Sequence, residues 1–231
     1  MAKQRLLVAL LLLALGAAVV AGLAPGGWGR PEPVDVTAGA SASAYRWVVD
    51  GSTRWHGPAE LVGEAALVLL VLLAAAVWWV GRRRGPQATA RTALVAVGAT
   101  VAYALSEALK PVVDEQRPCR ALTGLPPVDC PPVGDWSFPS NHATIAGALA
   151  VGLALLAPRL AALTLPLGLV AAGLRVAAGA HYPHDVIAGL VLGATVTAAT
   201  VLAFGPLAAR LTAALGTVPG VRRLVVAGQR S

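Results

Sequence analysis

The sequence predicts an all-α fold, namely an integral membrane bundle of six helices whose N-terminus and C-terminus are both cytoplasmic. Composition is the first reason, because 57% of the 231 residues are hydrophobic and only 13% are charged, against roughly 25% charged residues in a soluble domain. The second reason is that the apolar residues form six runs near the length of about 20 residues that crosses a bilayer. The third is that each run is apolar on all its faces and lacks the alternation of barrel strands.

The same composition excludes several other classes of protein. A disordered chain, a coiled coil and most soluble enzymes would all carry more charge. The net charge of +7 is unevenly distributed along the chain, so a nucleic-acid partner is not expected. Two cysteines are too few for a disulfide scaffold or a four-ligand zinc site. The length fits a single domain that covers residues 1–231.

Proline and glycine residues delimit the expected spans, which are residues 6–24, 61–80, 88–109, 140–157, 160–179 and 185–204. The first run follows Lys3 and Arg5, as in a signal peptide, but it is longer than the about 7–15 apolar residues of such a peptide. An uncleaved first transmembrane helix is therefore preferred. The core of the domain is expected at residues 61–204, with residues 43–49 as a short interfacial helix and residues 206–231 as a cytoplasmic tail that begins at Gly205-Pro206.

Basic residues determine the expected orientation, because cytoplasmic segments carry more lysine and arginine than outer segments do. With the N-terminus inside, the inner segments hold the larger group, which is Lys3, Arg5, Arg82, Arg83, Arg84, Arg91, Arg159, Arg210, Arg222, Arg223 and Arg230. The outer segments hold Arg30, Arg46, Arg54, Lys110, Arg117, Arg120 and Arg175. This distribution predicts a multi-pass protein of the cell membrane with both termini in the cytoplasm.

Polar side chains are concentrated in two outer segments, and the first set fits a site for phosphate. Lys110, Arg117 and Arg175 supply fixed positive charge for phosphate oxygens. Arg175 also interrupts an apolar helix near its outer end, and ionisable residues at membrane depth are costly enough to indicate function. Ser140 and Asn141 precede an apolar run, so their backbone N–H groups are expected at a helix N-terminus, where anions bind.

Histidines in the same segments fit the transfer of a phosphoryl group. His181 and Asp185 are four residues apart, so the carboxylate can hold one imidazole nitrogen while the other nitrogen attacks. His142 is then available to protonate a leaving group.

Each of these residues also has an ordinary interpretation when it is taken alone. Lys110 and Arg117 fit interfacial anchors, His142 fits a helix N-terminus, His184 fits a solvated position, and His181 with Asp185 fits a simple helix contact. Their coincidence on one face of the membrane favours a functional site.

Three motifs resemble the signature motifs of the type 2 phosphatidic acid phosphatase family: Lys110-x6-Arg117-Pro118, Pro139-Ser140-x-His142 and Arg175-x5-His181-x3-Asp185. With its helices, the resemblance covers about residues 61–204. It implies a membrane phosphatase that needs no metal and no cofactor. It also implies that His181 is the nucleophile, Asp185 its partner and His142 the general acid. The residues that it implies bind phosphate are Lys110, Arg117, Ser140 and Arg175.

Two positions depart from the family pattern. Asn141 stands where the family commonly has glycine, and Leu174 stands where many members have serine. Neither departure removes a residue to which the family pattern gives a catalytic role.

The expected substrate is a lipid phosphate or diphosphate within the membrane, hydrolysed at the extracytoplasmic face through a phosphohistidine. A polyprenyl diphosphate of the undecaprenyl type is favoured by analogy with the family. Phosphatidic acid, phosphatidylglycerophosphate and a sugar-linked polyprenyl phosphate remain alternatives, and no oligomeric state is predicted.

Two other functions are less consistent with the sequence. The vanadate-dependent haloperoxidases share this pocket, but they resemble larger soluble proteins with wider spacing in the first motif. An anion channel or transporter would carry cations along the depth of its helices, whereas here the motif cations gather at one face.

Cys119 and Cys130 are expected to form a disulfide. They lie on an outer segment, in a compartment that is usually oxidising, and they would close a short loop beside Arg117. Free thiols are the alternative, since the sequence does not give the geometry of the pair.

Overall fold

The computed structural model describes residues 2–29, 32–52, 54–126, 128 and 130–218, and helices dominate this part of the chain. The helices are α1 (Ala2–Leu23), α2 (Ala40–Gly51), α3 (His56–Arg84), α4 (Pro86–Val113), α5 (Pro118–Ala121), α6 (Asn141–Leu156), α7 (Ala161–Ala177) and α8 (Pro183–Leu215). A 3-10 turn, Pro158–Leu160, leads into α7. The described residues form no strand, only an isolated bridge between Val34 and Glu115, so the all-α prediction is confirmed.

Within the described residues, five helices are long and apolar enough to cross a membrane, namely α1, α3, α4, α7 with the turn before it, and α8. The expected span at residues 140–157 is the shorter helix α6, which has 16 residues. At 1.5 Å per residue it is about 24 Å long, which is less than the hydrocarbon thickness of about 30 Å. Its neighbours bury most of its length. The count of six spans therefore stays a prediction.

The last helix is longer than the sequence indicates. A break is expected at Gly205-Pro206, yet α8 continues through Pro206 to Leu215. Proline removes only one backbone donor, and helices packed in a membrane bundle tolerate that loss. The expected tail therefore begins after the helix, and its residues 219–231 lie outside the described part of the chain.

Helix α8 is the centre of the bundle and packs against α1, α4 and α6. Its contact with α6 is close because both helices present glycine there. A β-carbon added to Gly193 would overlap the Thr144 carbonyl, and one added to Gly147 would overlap the Leu190 carbonyl. Small residues of this kind allow helix backbones to approach closely in membranes, and the contact fixes the first turns of α6 and α8 relative to each other.

One end of the bundle collects the segments that carry the three motifs. The chain leaves α4 there, returns into α6, leaves α7 and returns into α8. Helix α2, which includes the expected interfacial segment 43–49, covers this end with Tyr45 and Val49 fully buried beneath it and Trp47 exposed. The Tyr45 hydroxyl donates to the Gly179 carbonyl at 2.9 Å, so α2 holds the loop between α7 and α8.

The expected orientation can be tested by labelling single cysteines in intact cells. Asp129, a natural probe position on the outer segment, lies outside the described residues, but Val133 on the same segment is 83% exposed. We expect a membrane-impermeant maleimide to label Val133→Cys in intact cells and to label Arg83→Cys, at the other end of α3, only after permeabilisation. Labelling in the reverse order would mean that the motif residues face the cytoplasm.

Candidate active site

His181 and Asp185 form a buried pair at the start of α8. His181 Nδ1 lies 3.4 Å from Asp185 Oδ2, and both residues are almost inaccessible to solvent. The same Oδ2 accepts the Tyr182 backbone N–H at 2.8 Å and the Ser137 hydroxyl at 2.6 Å. Asp185 therefore caps its own helix, and these hydrogen bonds hold its carboxylate in a fixed position beside His181.

The hydrogen bonds of His181 determine which of its nitrogens is free. Arg117 Nη1 lies 2.9 Å from His181 Nε2, and a guanidinium can only donate hydrogen bonds. Nε2 is therefore the acceptor, which places the proton of the neutral ring on Nδ1, beside Asp185. The nitrogen with the lone pair faces the cations of the first motif.

Burial keeps His181 neutral at physiological pH. It is the largest influence and lowers the pKa of His181 to about 4, with the charges of Arg117 and Arg175 acting in the same direction and Asp185 acting against them. A neutral imidazole has the lone pair that a nucleophile requires.

Lys110 and Arg117 are joined by one carboxylate. Asp135 Oδ1 lies 3.1 Å from Lys110 Nζ and 2.9 Å from Arg117 Nη2, and Arg117 Nε donates to the Asp135 carbonyl at 3.0 Å. Burial raises the pKa of Asp135, but the hydrogen bonds and charges of Arg117 and Lys110 outweigh it and hold that pKa below its ordinary value. Asp135 thus places a negative oxygen between two cations that the sequence assigns to phosphate.

Arg175 and His142 come from α7 and α6 respectively. Arg175, in the last turn of α7, is 8% exposed and pairs with Glu60 Oε1 at 3.5 Å. His142 is half-buried in the first turn of α6. The charges that act on His142 include those of Arg175, Arg117 and Lys110, so the histidine of the second motif lies near the cations of the other two.

Ser140 and Asn141 have structural contacts in addition to any role in binding phosphate. The Ser140 backbone N–H donates to the Asp185 carbonyl at 3.1 Å, and its buried hydroxyl accepts from Ala143 N at 3.5 Å as the N-cap of α6. The Asn141 amide accepts from the Ser106 hydroxyl at 2.7 Å and donates to Glu107. These contacts tie the start of α6 to α8 and α4.

Several residues in the site have no part in the sequence interpretation. Ser137 and Asp135 precede the second motif, and Glu115 lies between the two cations of the first motif. His184, which fits a solvated position when taken alone, is in fact buried and contacts Glu115 Oε2 at 3.1 Å. The one signal in the sequence was the position of Glu115 between the two cations of the first motif. The contacts themselves join residues far apart in sequence, so the sequence did not indicate them.

Glu115, His184 and Asp185 each offer one ligand atom within 4.8 Å of the others, and they form the one such group in the part of the chain that the structure describes. Glu115 is 69 residues from His184, so no local spacing in the sequence links it to the other two. One imidazole nitrogen, His184 Nε2, lies 3.1 Å from Glu115 Oε2 and 3.2 Å from Asp185 Oδ1, and this nitrogen accounts for the proximity of the two carboxyl groups.

The two cysteines are bonded in the structure. Cys119, in α5, and Cys130 have Cα atoms 5.9 Å apart and form a disulfide, and Arg120, within the loop that it closes, donates to the carbonyl of Pro131, the residue after Cys130. The loop begins two residues after Arg117, so the bond restrains the segment that carries this cation.

Alkylation tests this disulfide directly. We expect neither thiol to react with iodoacetamide in denatured protein until a reductant is added, after which both react and mass spectrometry detects two added groups. Alkylation of both without reductant would show free thiols.

Comparison with known families agrees with the motif geometry. The model of the PAP2 superfamily matches residues 89–208, which is more than half of the chain and contains all three motifs. The chain belongs to the PAP2 superfamily. The family predicted from the three motifs is thereby confirmed.

Named relatives in this superfamily are phosphatases. The chain is 42% identical over 103 residues to the decaprenylphosphoryl-5-phosphoribose phosphatase of Mycobacterium tuberculosis. The matched residues make up 44% of this chain and 54% of that protein. It is 44% identical over 68 residues to the lipid A 1-phosphatase of Rhizobium johnstonii, which is 29% of this chain and 28% of that protein. The matches thus span about half or less of these relatives. No solved structure matches the chain.

Proposed function

We propose that this PAP2 protein is a membrane phosphatase that removes a terminal phosphate from a lipid phosphate or diphosphate at the extracytoplasmic face. His181 is the nucleophile, and no metal takes part. The observation that carries the proposal is the pair of contacts on His181. Asp185 lies beside Nδ1, and Arg117 faces the lone pair of Nε2, so the attacking nitrogen points to the place where phosphate would bind.

Substrate binding exchanges one anion for another. The carboxylate of Asp135 contacts both Lys110 and Arg117, and it is 38% exposed. A phosphate dianion carries more charge than a carboxylate and has three acceptor oxygens, so it competes for the same donors. Its entry turns the Arg117 guanidinium from Nε2 towards phosphate oxygens, and the nucleophile becomes accessible.

Phosphoryl transfer then follows in two displacements. In the first, His181 Nε2 bonds to phosphorus, the bond to the leaving oxygen breaks, and His142 donates a proton to that oxygen. In the second, His142 takes a proton from water, the water oxygen bonds to phosphorus, and the P–N bond breaks to release phosphate. The cations stabilise charge on the equatorial oxygens throughout, which is usually the dominant effect in phosphoryl transfer.

A polyprenyl diphosphate of the undecaprenyl type remains the substrate that we propose. The decaprenylphosphoryl-5-phosphoribose phosphatase among the relatives supports a polyprenyl lipid and favours a second candidate, a polyprenyl lipid that ends in a sugar phosphate. Both candidates present a terminal phosphate to the same cations.

The purified protein in detergent, assayed for phosphate release, tests this function. The panel is undecaprenyl diphosphate, a polyprenylphosphoryl phosphoribose, phosphatidic acid and phosphatidylglycerophosphate, each also given to His181→Ala. We expect at least one polyprenyl substrate to exceed the glycerolipids in kcat/KM. Preference for a glycerolipid would overturn the substrate proposal, and no hydrolysis of any member would overturn the function.

Metal independence gives a further prediction. Because Lys110, Arg117 and Arg175 supply the positive charge, we expect EDTA to leave the rate of phosphate release unchanged. Vanadate, which mimics the trigonal transition state, is expected to inhibit. Loss of activity in EDTA that magnesium restores would indicate a different mechanism.

A further inference from the structure

A second layer of buried polar groups lies behind the His181–Asp185 pair. Glu115 is fully buried, and its Oε2 lies 3.1 Å from His184 Nε2. The same nitrogen lies 3.2 Å from Asp185 Oδ1, the carboxylate oxygen that does not face His181. Glu115 and His184 therefore contact Asp185 on the side away from the nucleophile.

Contacts on the ring of His184 assign its proton. The Ser41 hydroxyl accepts the His184 backbone N–H at 3.3 Å, and it lies 2.6 Å from His184 Nδ1. An oxygen that accepts the backbone hydrogen can donate its own hydrogen to Nδ1. The ring proton of neutral His184 is then on Nε2, where it faces both carboxyl groups. The rings of Phe138 and Tyr182 stack on this imidazole and fix its plane.

The two carboxyl groups each have one buried oxygen without a donor among the described residues, Glu115 Oε1 and Asp185 Oδ1. One carboxyl oxygen of each group lies within 4.8 Å of the other, so two ionised carboxylates here would repel each other, and each would carry the cost of a buried charge with an unpaired oxygen. One proton shared between them removes both costs, because the protonated group donates to the other.

Glu115 is the group that the surroundings favour for that proton. Burial is the largest influence and raises the pKa of Glu115, the charge of Asp185 acts in the same direction, and only the charge of Arg117 opposes them. Asp185 accepts hydrogen bonds from Tyr182 N–H and Ser137, which stabilise its ionised form. The other titratable neighbour, the Tyr182 phenol, has its pKa raised by burial and stays neutral.

We propose that Glu115 is a neutral carboxylic acid that donates a hydrogen bond to Asp185 Oδ1 and, with His184 Nε2–H, positions the Asp185 carboxylate for His181. Glu115 and His184 are positioning residues, since neither contacts the nucleophile. The hydroxyl of neutral Glu115 occupies the outer oxygen of Asp185 and leaves Oδ2 for the Nδ1–H of His181, while His184 Nε2–H donates to Glu115 Oε2 and holds that acid in place. They also lower the basicity of Asp185, so that it orients the imidazole without taking its proton.

Comparison of Glu115→Gln with Glu115→Ala tests the proposal. A glutamine can donate to Asp185 and accept from His184 as a neutral glutamate does. We expect Glu115→Gln to keep kcat within about threefold of the wild type, with an unchanged pH profile. Glu115→Ala removes a hydrogen bond to a charged group, for which a loss of about 10-fold to 100-fold in kcat is expected. Asp114→Asn, the same chemical change one residue away, is the matched control and should be unaffected.

Infrared difference spectra of wild type and Glu115→Gln provide a second measurement, which needs no turnover. We expect the wild type at pH 7 to show the carbonyl stretch of a protonated carboxylic acid that the variant lacks. The infrared result does not depend on the proposed function. Only the interpretation of the kinetic measurements rests on that function. Absence of the band, a Glu115→Gln defect as large as that of Glu115→Ala, or stoichiometric zinc lost on that substitution would each overturn the proposal.

Discussion

Replacing His181 by alanine is expected to abolish phosphate release from every substrate. The structure places no other neutral imidazole nitrogen against Arg117 within the described residues, so we expect no other group to take over the attack. Loss of a serine protease nucleophile costs roughly 10⁶-fold in kcat, and we expect a loss of at least about 10⁴-fold here. Initial rates of phosphate release, measured at saturating substrate, give the comparison.

The matched control for this variant is His56→Ala. His56 begins α3, its Nε2 contacts the Val49 carbonyl at 3.4 Å in α2, and no hydrogen bond among the described residues joins it to a residue of the three motifs. We expect this variant to keep kcat within about twofold of the wild type. Phosphate release by His181→Ala above one hundredth of the wild-type rate would exclude His181 as the nucleophile.

Replacing His142 by alanine is expected to slow the cleavage of monoesters far more than that of diphosphates. A lipid alcohol leaves as an alkoxide, whose conjugate acid is nearly as weak an acid as water, so its departure requires a proton. A lipid monophosphate is a much better leaving group, since the second pKa of a phosphate ester is about 6. General acid catalysis is worth about 10²-fold to 10⁴-fold, and we expect a loss in that range for monoesters only.

Single-turnover formation of the phosphoenzyme is the right measurement for His142, because in the proposed mechanism the same histidine also activates the water in the second displacement. Equal losses on both substrates would mean that His142 binds phosphate and is not the general acid.

Spacing within one segment was enough to predict the local part of this site. His181 and Asp185 are four residues apart, and the first turn of α8 brings them to 3.4 Å. Pro183 takes the first position of α8, as expected for a residue that lacks a backbone donor. Apolar runs predicted the helices in the same way, because a helix that crosses a membrane must satisfy its own backbone.

The sequence alone could not predict contacts between segments that are far apart in the chain. Glu115 and His184 are 69 residues apart, and only the close packing of α8 among its neighbours brings them together. Asp135 meets Lys110 across a loop for the same reason. In the sequence, Glu115 and Asp135 look like ordinary charged residues of an outer loop. Whether a loop residue is solvated or buried depends on which segments cover it, and the sequence does not show those segments.

The ends of the helices were predicted least well. Proline and glycine at residues 205 and 206 indicate a break, but α8 passes through them because neighbouring helices compensate for one lost donor. Conversely, α6 is shorter than a typical span. It is apolar throughout because its neighbours bury it on nearly all sides.

Trapping the phosphoenzyme tests whether His181 is the nucleophile. Wild-type protein is mixed with a substrate that carries ³²P in its terminal phosphate, quenched within one turnover in alkali, digested and sequenced by mass spectrometry. We predict one labelled peptide with a phosphate on His181, stable in alkali and lost in acid as a phosphoramidate is, and no label in His181→Ala. Turnover without any labelled protein, or a label on another residue, would exclude His181 as the nucleophile.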